Sequence, residues 1–290
     1  MNKKNILIVS FTLMIIPAIM YFVDVVPSIE NEKNVEFTQT EIEKNQAELF
    51  VQSGEFFDIL IDPNDIVIVN NENTVLPKEF LFKKGLEEIY EQITVYELKQ
   101  KPVVILPVFT NSAYNPNGFY DYFSGECTKE CLTVQVEHDN FDGRSSSNGI
   151  KILKLLGYEM ISEIKIHKNP KILEKYDKII LLHNEYVTKE IFDAVDLHPN
   201  VVYLYPNALY AEIEYDEQTD EITLVRGHAY PDSSIDNGFD WEFDNTRPYE
   251  YDIECANWEF WEIDNGHMLN CYPEYLIFQN VEFLKFLKNI

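Results

Sequence analysis

Three short apolar runs do most to limit what this chain can fold into. Val103–Phe109 is uninterrupted, Lys178–Leu182 reads KIILL and Val201–Tyr205 reads VVYLY. A strand with one wet face alternates apolar and polar residues, whereas a strand covered on both faces reads as a continuous apolar run. Helical patterns separate these runs. Ile150–Leu156 ends at Gly157, a residue suited to the position just past a helix, and a second helix is expected from Thr188 to Leu197. Strands alternating with helices of this length predict βαβ units and a mostly parallel sheet with helices on both faces, an α/β fold.

The rest of the chain is arranged around this centre. Phe56–Ile61 and Ile66–Val69 are flanked by turn signals, and Lys78–Ile93 has helical spacing. Leu132–Val136 is a mixed strand candidate, Ser145–Ser147 offer helix caps, and Glu159–Ile166 alternates as a strand. After Asn207 the pattern changes. Ala211–Tyr215 and Glu221–Val225 predict an antiparallel hairpin, residues 227–275 read as β and loop, and 277–287 as a closing helix. The expected division is therefore an α/β domain over 51–210 and a β-hairpin/loop appendage with a C-terminal helix over 211–290.

The N-terminus carries a different signal. Lys3 and Lys4 precede an apolar run from Ile6 to Val23 with no formal charge before Asp24. Eighteen residues at the helical rise span roughly 27 Å, close to the hydrocarbon thickness of a bilayer. The run is long for a secretory peptide, and no Ala-x-Ala-like site follows it. Residues 1–26 are expected to be a signal-anchor helix with its lysines in the cytoplasm, followed by a polar stalk over 27–50. The localisation this implies is the cell membrane, single-pass, with the domain outside the cytoplasm; a cleaved signal peptide would deliver the domain to the same side.

Composition narrows the functional classes. Net charge is −27, from 50 acidic against 23 basic residues. Such a field repels phosphate backbones, so nucleic acid is excluded as an expected partner. The expected partners are the membrane, through the N-terminal helix, and a small-molecule, glycan or surface-protein ligand. Four cysteines, Cys127, Cys131, Cys255 and Cys271, all follow the anchor. In an oxidising compartment they read as disulfides. Local pairing is the simplest of three connectivities, and the spacings lack the C-x2-C knuckles of a zinc site.

In an open parallel sheet, ligands bind beyond the carboxyl ends of the strands. That rule selects Asn111 after the first run, His138, Asp139 and Arg144 after Leu132–Val136, His183-Asn184-Glu185-Tyr186 after KIILL, and Asn207 after VVYLY. His183 and Glu185, with His138 as a partner, have the residue types for base and orienting group, or for metal ligation. A structural role, with His183 bonding the loop backbone and Glu185 capping the next helix, uses the same residues. There is no G-x-S-x-G elbow, H-E-x-x-H or P-loop. No cofactor is expected. Asp240, Glu242 and Asp244 alternate with Trp241 and Phe243; on a strand they would present three carboxylates on one face, which reads first as a solvated acidic face and otherwise as a donor set that suits calcium.

The segment DKIILLHNEYVTKEIFDAV followed by NVVYLYPNALY resembles the flavodoxin-like sheet of class I glutamine amidotransferase-like domains, in particular the dimethylformamidase β-subunit branch, over about residues 100–210. His183, Glu185 and Tyr186 resemble a Gly-His-(Asp/Glu)-Glu-Tyr-Trp segment of that branch. Where that superfamily carries its nucleophilic cysteine, on the elbow after the strand equivalent to VVYLY, this chain reads Pro206-Asn207-Ala208. The resemblance therefore implies a cleft without the superfamily nucleophile. SGECTKECLTVQV, DNGFDWEFDN and DNGHMLNCYPE also resemble a group of membrane-anchored proteins of ammonia-oxidising archaea, for which no activity is established. Three readings follow. The first is an extracytoplasmic binding or scaffold module; the second is an amide or glycoside hydrolase using His183 and Glu185; the third is calcium-dependent surface assembly through residues 232–244.

Overall fold

The structure, a computed structural model, describes residues 49–69, 72–141, 146–246 and 249–290. The anchor expected over 1–26 lies outside the described residues, as does nearly all of the stalk. Among the described residues no helix is long and apolar enough to cross a membrane.

The chain is a mixed α/β protein. It opens with an antiparallel sheet of β1 (Phe50–Ser53), β2 (Phe57–Val69) and β3 (Glu72–Phe82), followed by α1 (Glu87–Ile93). The turn signal at Asp62-Pro63-Asn64-Asp65 does not break β2. The register shifts between Ile61 and Ile66 instead, so the two expected segments form one strand. β4 (Pro102–Leu106) then begins the central sheet and leads into α2 (Val108–Ala113) and α3 (Phe119–Ser124). Next come β5 (Thr133–Gln135), α4 (Ser147–Leu155) and β6 (Glu159–Ser162). β6 is shorter than its alternating pattern. Ser162 caps α5 (Glu163–Lys168), its hydroxyl accepting from the Lys165 N–H, and the chain turns helical there. β7 (Lys178–Leu181), β8 (Tyr186–Val187), α6 (Lys189–Asp196) and β9 (Val201–Tyr203) complete the middle. β10 (Ala211–Asp216), β11 (Glu221–Arg226), β12 (Phe260–Ile263), β13 (Gly266–Leu269), α7 (Leu276–Gln279) and α8 (Val281–Asn289) follow.

The central sheet has the order β12-β13-β9-β7-β4-β6. Five neighbouring strands are parallel, and only β12 runs against its neighbour, β13. Counted along the chain, the parallel strands stand in the order 2-1-3-4-5. The order reverses between β4 and β7, which sit side by side with Val104 opposite Ile180. The apolar runs behave as their pattern requires. Val103, Ile105, Ile179, Leu181, Val201 and Tyr203 enter the core on one face, while Val104, Ile180, Leu182, Val202 and Leu204 enter the other. All eleven are fully buried. Lys178 is buried as well; its ammonium donates to the Leu287 and Lys288 carbonyls at the last turn of α8. Burial lowers its pKa to about 8.

The boundary expected at 210/211 does not separate two bodies. The hairpin β10–β11 forms as expected, but it joins β5 on one side and β8 on the other in a four-stranded sheet. Ile213, Ile222 and Leu224 share the core that holds Val108, Phe109 and Ile164. β13 is the fifth parallel strand, and Phe283, Leu284 and Leu287 of α8 lie in the core on the opposite face. Residues 227–275, read as β and loop, supply the antiparallel pair β12–β13, and it is the pairing of β13 with β9 that ties them to the parallel sheet.

Both disulfides are local, Cys127–Cys131 and Cys255–Cys271. On the chain-entropy model, the closure that spans 16 residues is worth about 3 kcal/mol and the shorter one about 2 kcal/mol. The longer bridge, buried at both ends, ties the 249–255 segment to the exit of β13.

Gly266 is where β13 meets β9 most closely. A Cβ there would stand 1.8 Å from the Val201 carbonyl oxygen, a backbone atom with no rotamer to yield. Gly266→Ala is therefore expected to push the fifth strand off the sheet and lower Tm by several degrees, read by thermal unfolding, with a full-length, monodisperse wild-type sample as reference.

Candidate functional site

The reversal between β4 and β7 places α2 and the Leu182–Glu185 turn together at the carboxyl ends of both strands. Backbone groups freed where β7 ends need partners, because burial without them is costly. Thr110 supplies one: its hydroxyl accepts from the Glu185 and Tyr186 N–H groups at 2.9 and 3.0 Å. Asn184 folds back, its side-chain oxygen accepting from Leu182 N–H at 2.8 Å. The Asn184 amide donates to Glu163 at 2.6 Å, and the other Glu163 oxygen accepts from Phe109 N–H at 2.7 Å. Glu163 thus bridges the two strand ends. It is wholly buried, and burial raises its carboxyl to about 8 despite those two hydrogen bonds.

Glu185 is the centre of the site and is also wholly buried. Its Oε2 accepts from the Tyr114 hydroxyl at 2.7 Å, the Tyr120 hydroxyl lies 3.2 Å from both oxygens, and His228 Nε2 stands 2.5 Å from Oε1. His183 Nε2 lies 3.4 Å from Oε2. Burial pushes this carboxyl upward. The charge and hydrogen bond of His228, then His183 and the Tyr114 hydroxyl, outweigh it and hold the pKa below the ordinary carboxylate value. The pKa of His183 is lowered as well, but here burial is the main cause; Glu185 opposes this, and the neighbouring His228 adds to the lowering. Tyr114 and Tyr120, stacked with centroids 4.3 Å apart, are pushed well above the usual phenol range, by burial first and then by Glu185. The site is an ionised carboxylate surrounded by two imidazoles and two neutral phenols.

His228 arrives from the loop after β11. Its φ of 52° and the 61° of Ala229 lie in the left-handed region. Its ring stacks on Tyr186 at 5.4 Å and meets Tyr210, Phe123 and Tyr120 at 4.4, 5.4 and 6.4 Å.

The sequence-selected residues divide into those brought together and those held elsewhere. His183, Asn184, Glu185 and Tyr186 do gather at the switch point, but Asn184 is spent on the turn. Glu185 caps no helix side chain-first; it binds His228. His183 is 1% exposed, and its backbone N–H donates to the Ser146 hydroxyl at 3.0 Å. Ser146, with φ 67°, thereby turns its oxygen toward β7 rather than capping α4. That helix start is met by Glu274 instead, which accepts from Asn148 N–H at 2.7 Å and from the Tyr205 hydroxyl at 2.6 Å. Burial raises the Glu274 carboxyl to about 7.

Asn111 donates to the Asn140 carbonyl, and Asn207 is buried with φ 61° in the turn after β9. His138 is a correction. β5 belongs to the second sheet, so His138 pairs with Asp220 at the hairpin turn, 2.7 Å away, and is half exposed. Asp139 is exposed beside it. Arg144 lies outside the described residues. The carboxylates of 240–244 are a second correction, since this segment is loop and not strand. Asp240 pairs with Arg226 at 2.8 Å, Asp244 caps Thr246, and Trp241 points inward. Among the described residues no group of three or more His, Cys, Asp or Glu side chains is placed to hold a metal ion.

Sequence reasoning missed His228, Tyr120 and Glu163. Local pattern carried little of this: Gly227-His228-Ala229 follows a hairpin strand of the second sheet, far in sequence from the ends of β4 and β7, and Glu163 sits inside what reads as an alternating strand. No family model matches the chain, and no curated protein matches it.

Glu163 and Glu274 hold protons in the folded state that the unfolded chain releases above its carboxyl pKa near 4.5. Their contribution is full below that value and is lost as pH rises through about 7 and 8. Glu163→Gln should flatten the decline in urea-unfolding stability between about pH 5 and pH 8. It should also carry a pH-independent loss of about 1–3 kcal/mol, because an amide cannot accept from both Phe109 and Asn184.

Proposed function

We propose that the chain is a membrane-tethered, extracytoplasmic α/β binding module on a flavodoxin-like sheet, with its ligand site at the strand-end cluster around Glu185. The observation that carries this reading is the closure of the site's own polar groups on one another. Glu185 is saturated by Tyr114, Tyr120 and His228, and His183 is almost wholly buried against it. A general base must reach a substrate proton directly or through one water; His183 has no such access. The 2-1-3-4-5 strand order supports the relationship to amidotransferase-like domains. At the elbow after β9, buried Asn207 keeps a left-handed backbone, and a carboxamide is no nucleophile.

One observation favours the hydrolase as a second reading. The His228 side chain is 21% exposed and is oriented by a buried carboxylate, the arrangement of a base with its orienting group. Full-length protein in detergent separates the two. The binding module predicts no turnover of a panel of model amides and glycosides, together with a Tm rise in the presence of at least one ligand class. Turnover that His228→Ala or His183→Ala abolishes, in a variant that still folds, would replace it with the hydrolase.

A further inference from the structure

The surroundings of His228 are unusual for a histidine that only braces a loop. Its ring lies among four aromatic rings, those of Tyr120, Phe123, Tyr186 and Tyr210, and its Nε2 meets a carboxylate with no solvent exposure. Aromatic faces attract cations through their quadrupoles, and the attraction grows as water is removed. A buried carboxylate that stays ionised requires a donor or counter-charge beside it. Together these walls would repel an anion and give a neutral apolar group no use for Glu185. They match a small cation that carries an N–H donor.

We propose that the recess formed by Glu185, Tyr120, Phe123, Tyr186 and Tyr210 is a binding site for a small organic cation, and that His228 fills it here as a tethered occupant. The inference rests on the binding-module reading and names its ligand class. Two features distinguish a tethered occupant from a permanent core residue. The side chain is 21% exposed, so the recess opens to solvent where the imidazole sits. The loop that delivers it holds two consecutive non-glycine residues, His228 and Ala229, at φ 52° and 61°. Such backbone persists only where its surroundings over-determine it. What holds it is a Gly227–Tyr230 backbone pair and the bonds from His228 N–H to Asp236 and from Ala229 N–H to Ile235. An incoming cation that takes over the Glu185 contact would let this loop withdraw and relax, so ligand capture and loop release are one event.

The test is cavity complementation. His228→Gly in the full-length chain empties the recess, and glycine suits the left-handed φ. The variant should melt below wild type. Imidazole and methylammonium, at matched ionic strength, should raise its Tm with the logarithm of their concentration. Toluene, a neutral ring, should not, and adding Glu185→Gln should abolish the cation effect. A folded His228→Gly variant that no cation stabilises, or that toluene stabilises equally, would overturn the proposal. Should the variant fail to fold, wild-type hydrogen exchange decides: methylammonium should speed exchange across 227–238, and an unchanged rate would overturn the proposal. Cation rescue alongside His183-dependent amide turnover would remove the binding-module reading and leave the cation site standing. A wild-type ligand that is not cationic, with no rescue, would do the reverse.

Discussion

A carboxylate buried without exposure is the constraint on which the site depends. An isolated buried charge is very costly, and a group in that position neutralises or recruits partners. Glu185 recruits. Tyr114 reaches it from the end of α2, Tyr120 from α3 and His228 from the loop after β11, while Thr110 holds its backbone N–H. Segments more than a hundred residues apart in sequence are fastened to one pair of oxygens. Glu163, which accepts from Asn184 of the same turn, takes the other course: with only the Asn184 amide and the Phe109 N–H to offset it, burial prevails and its proton is retained near neutrality. Two buried glutamates, at strand ends on either side of β4, therefore differ in charge, one ionised and one neutral, and the difference is His228.

The arrangement also accounts for the second sheet. β8 is two residues long and follows Glu185 directly, and it pairs in parallel with β10. The hairpin that delivers His228 is thus registered, strand against strand, on the segment that carries its acceptor. Gly238 N–H bonding to the Tyr210 carbonyl closes the far side of the same loop. Positioning of the imidazole is a property of sheet pairing before it is a property of the loop.

How far the site could be read depended on how local each signal is. His183, Glu185 and Tyr186 were reachable because a strand end is marked by where an apolar run stops. His138 followed the same rule and failed, since the strand before it belongs to another sheet and the rule holds only for the parallel one. Asp240, Glu242 and Asp244 failed for a related reason. Alternating acids and rings imply one face only if the backbone is extended, and Asp240 at φ 52° is not. His228 had no local mark at all, because its role exists only through a partner 43 residues earlier.

By itself the sequence determined the parallel α/β centre, its doubly buried strands, the β10–β11 hairpin and the four cysteines available for bridging. These follow from hydrophobic period, turn chemistry and residue type, each written within about ten residues of chain. Tertiary structure decided that residues 211–290 are woven into the body, that Gly266 opens a fifth parallel strand, and that Glu185 is met by His228. Parallel pairing and buried ion contacts join distant segments, and the free energy that selects them is summed over the assembled core rather than carried by any one stretch of chain.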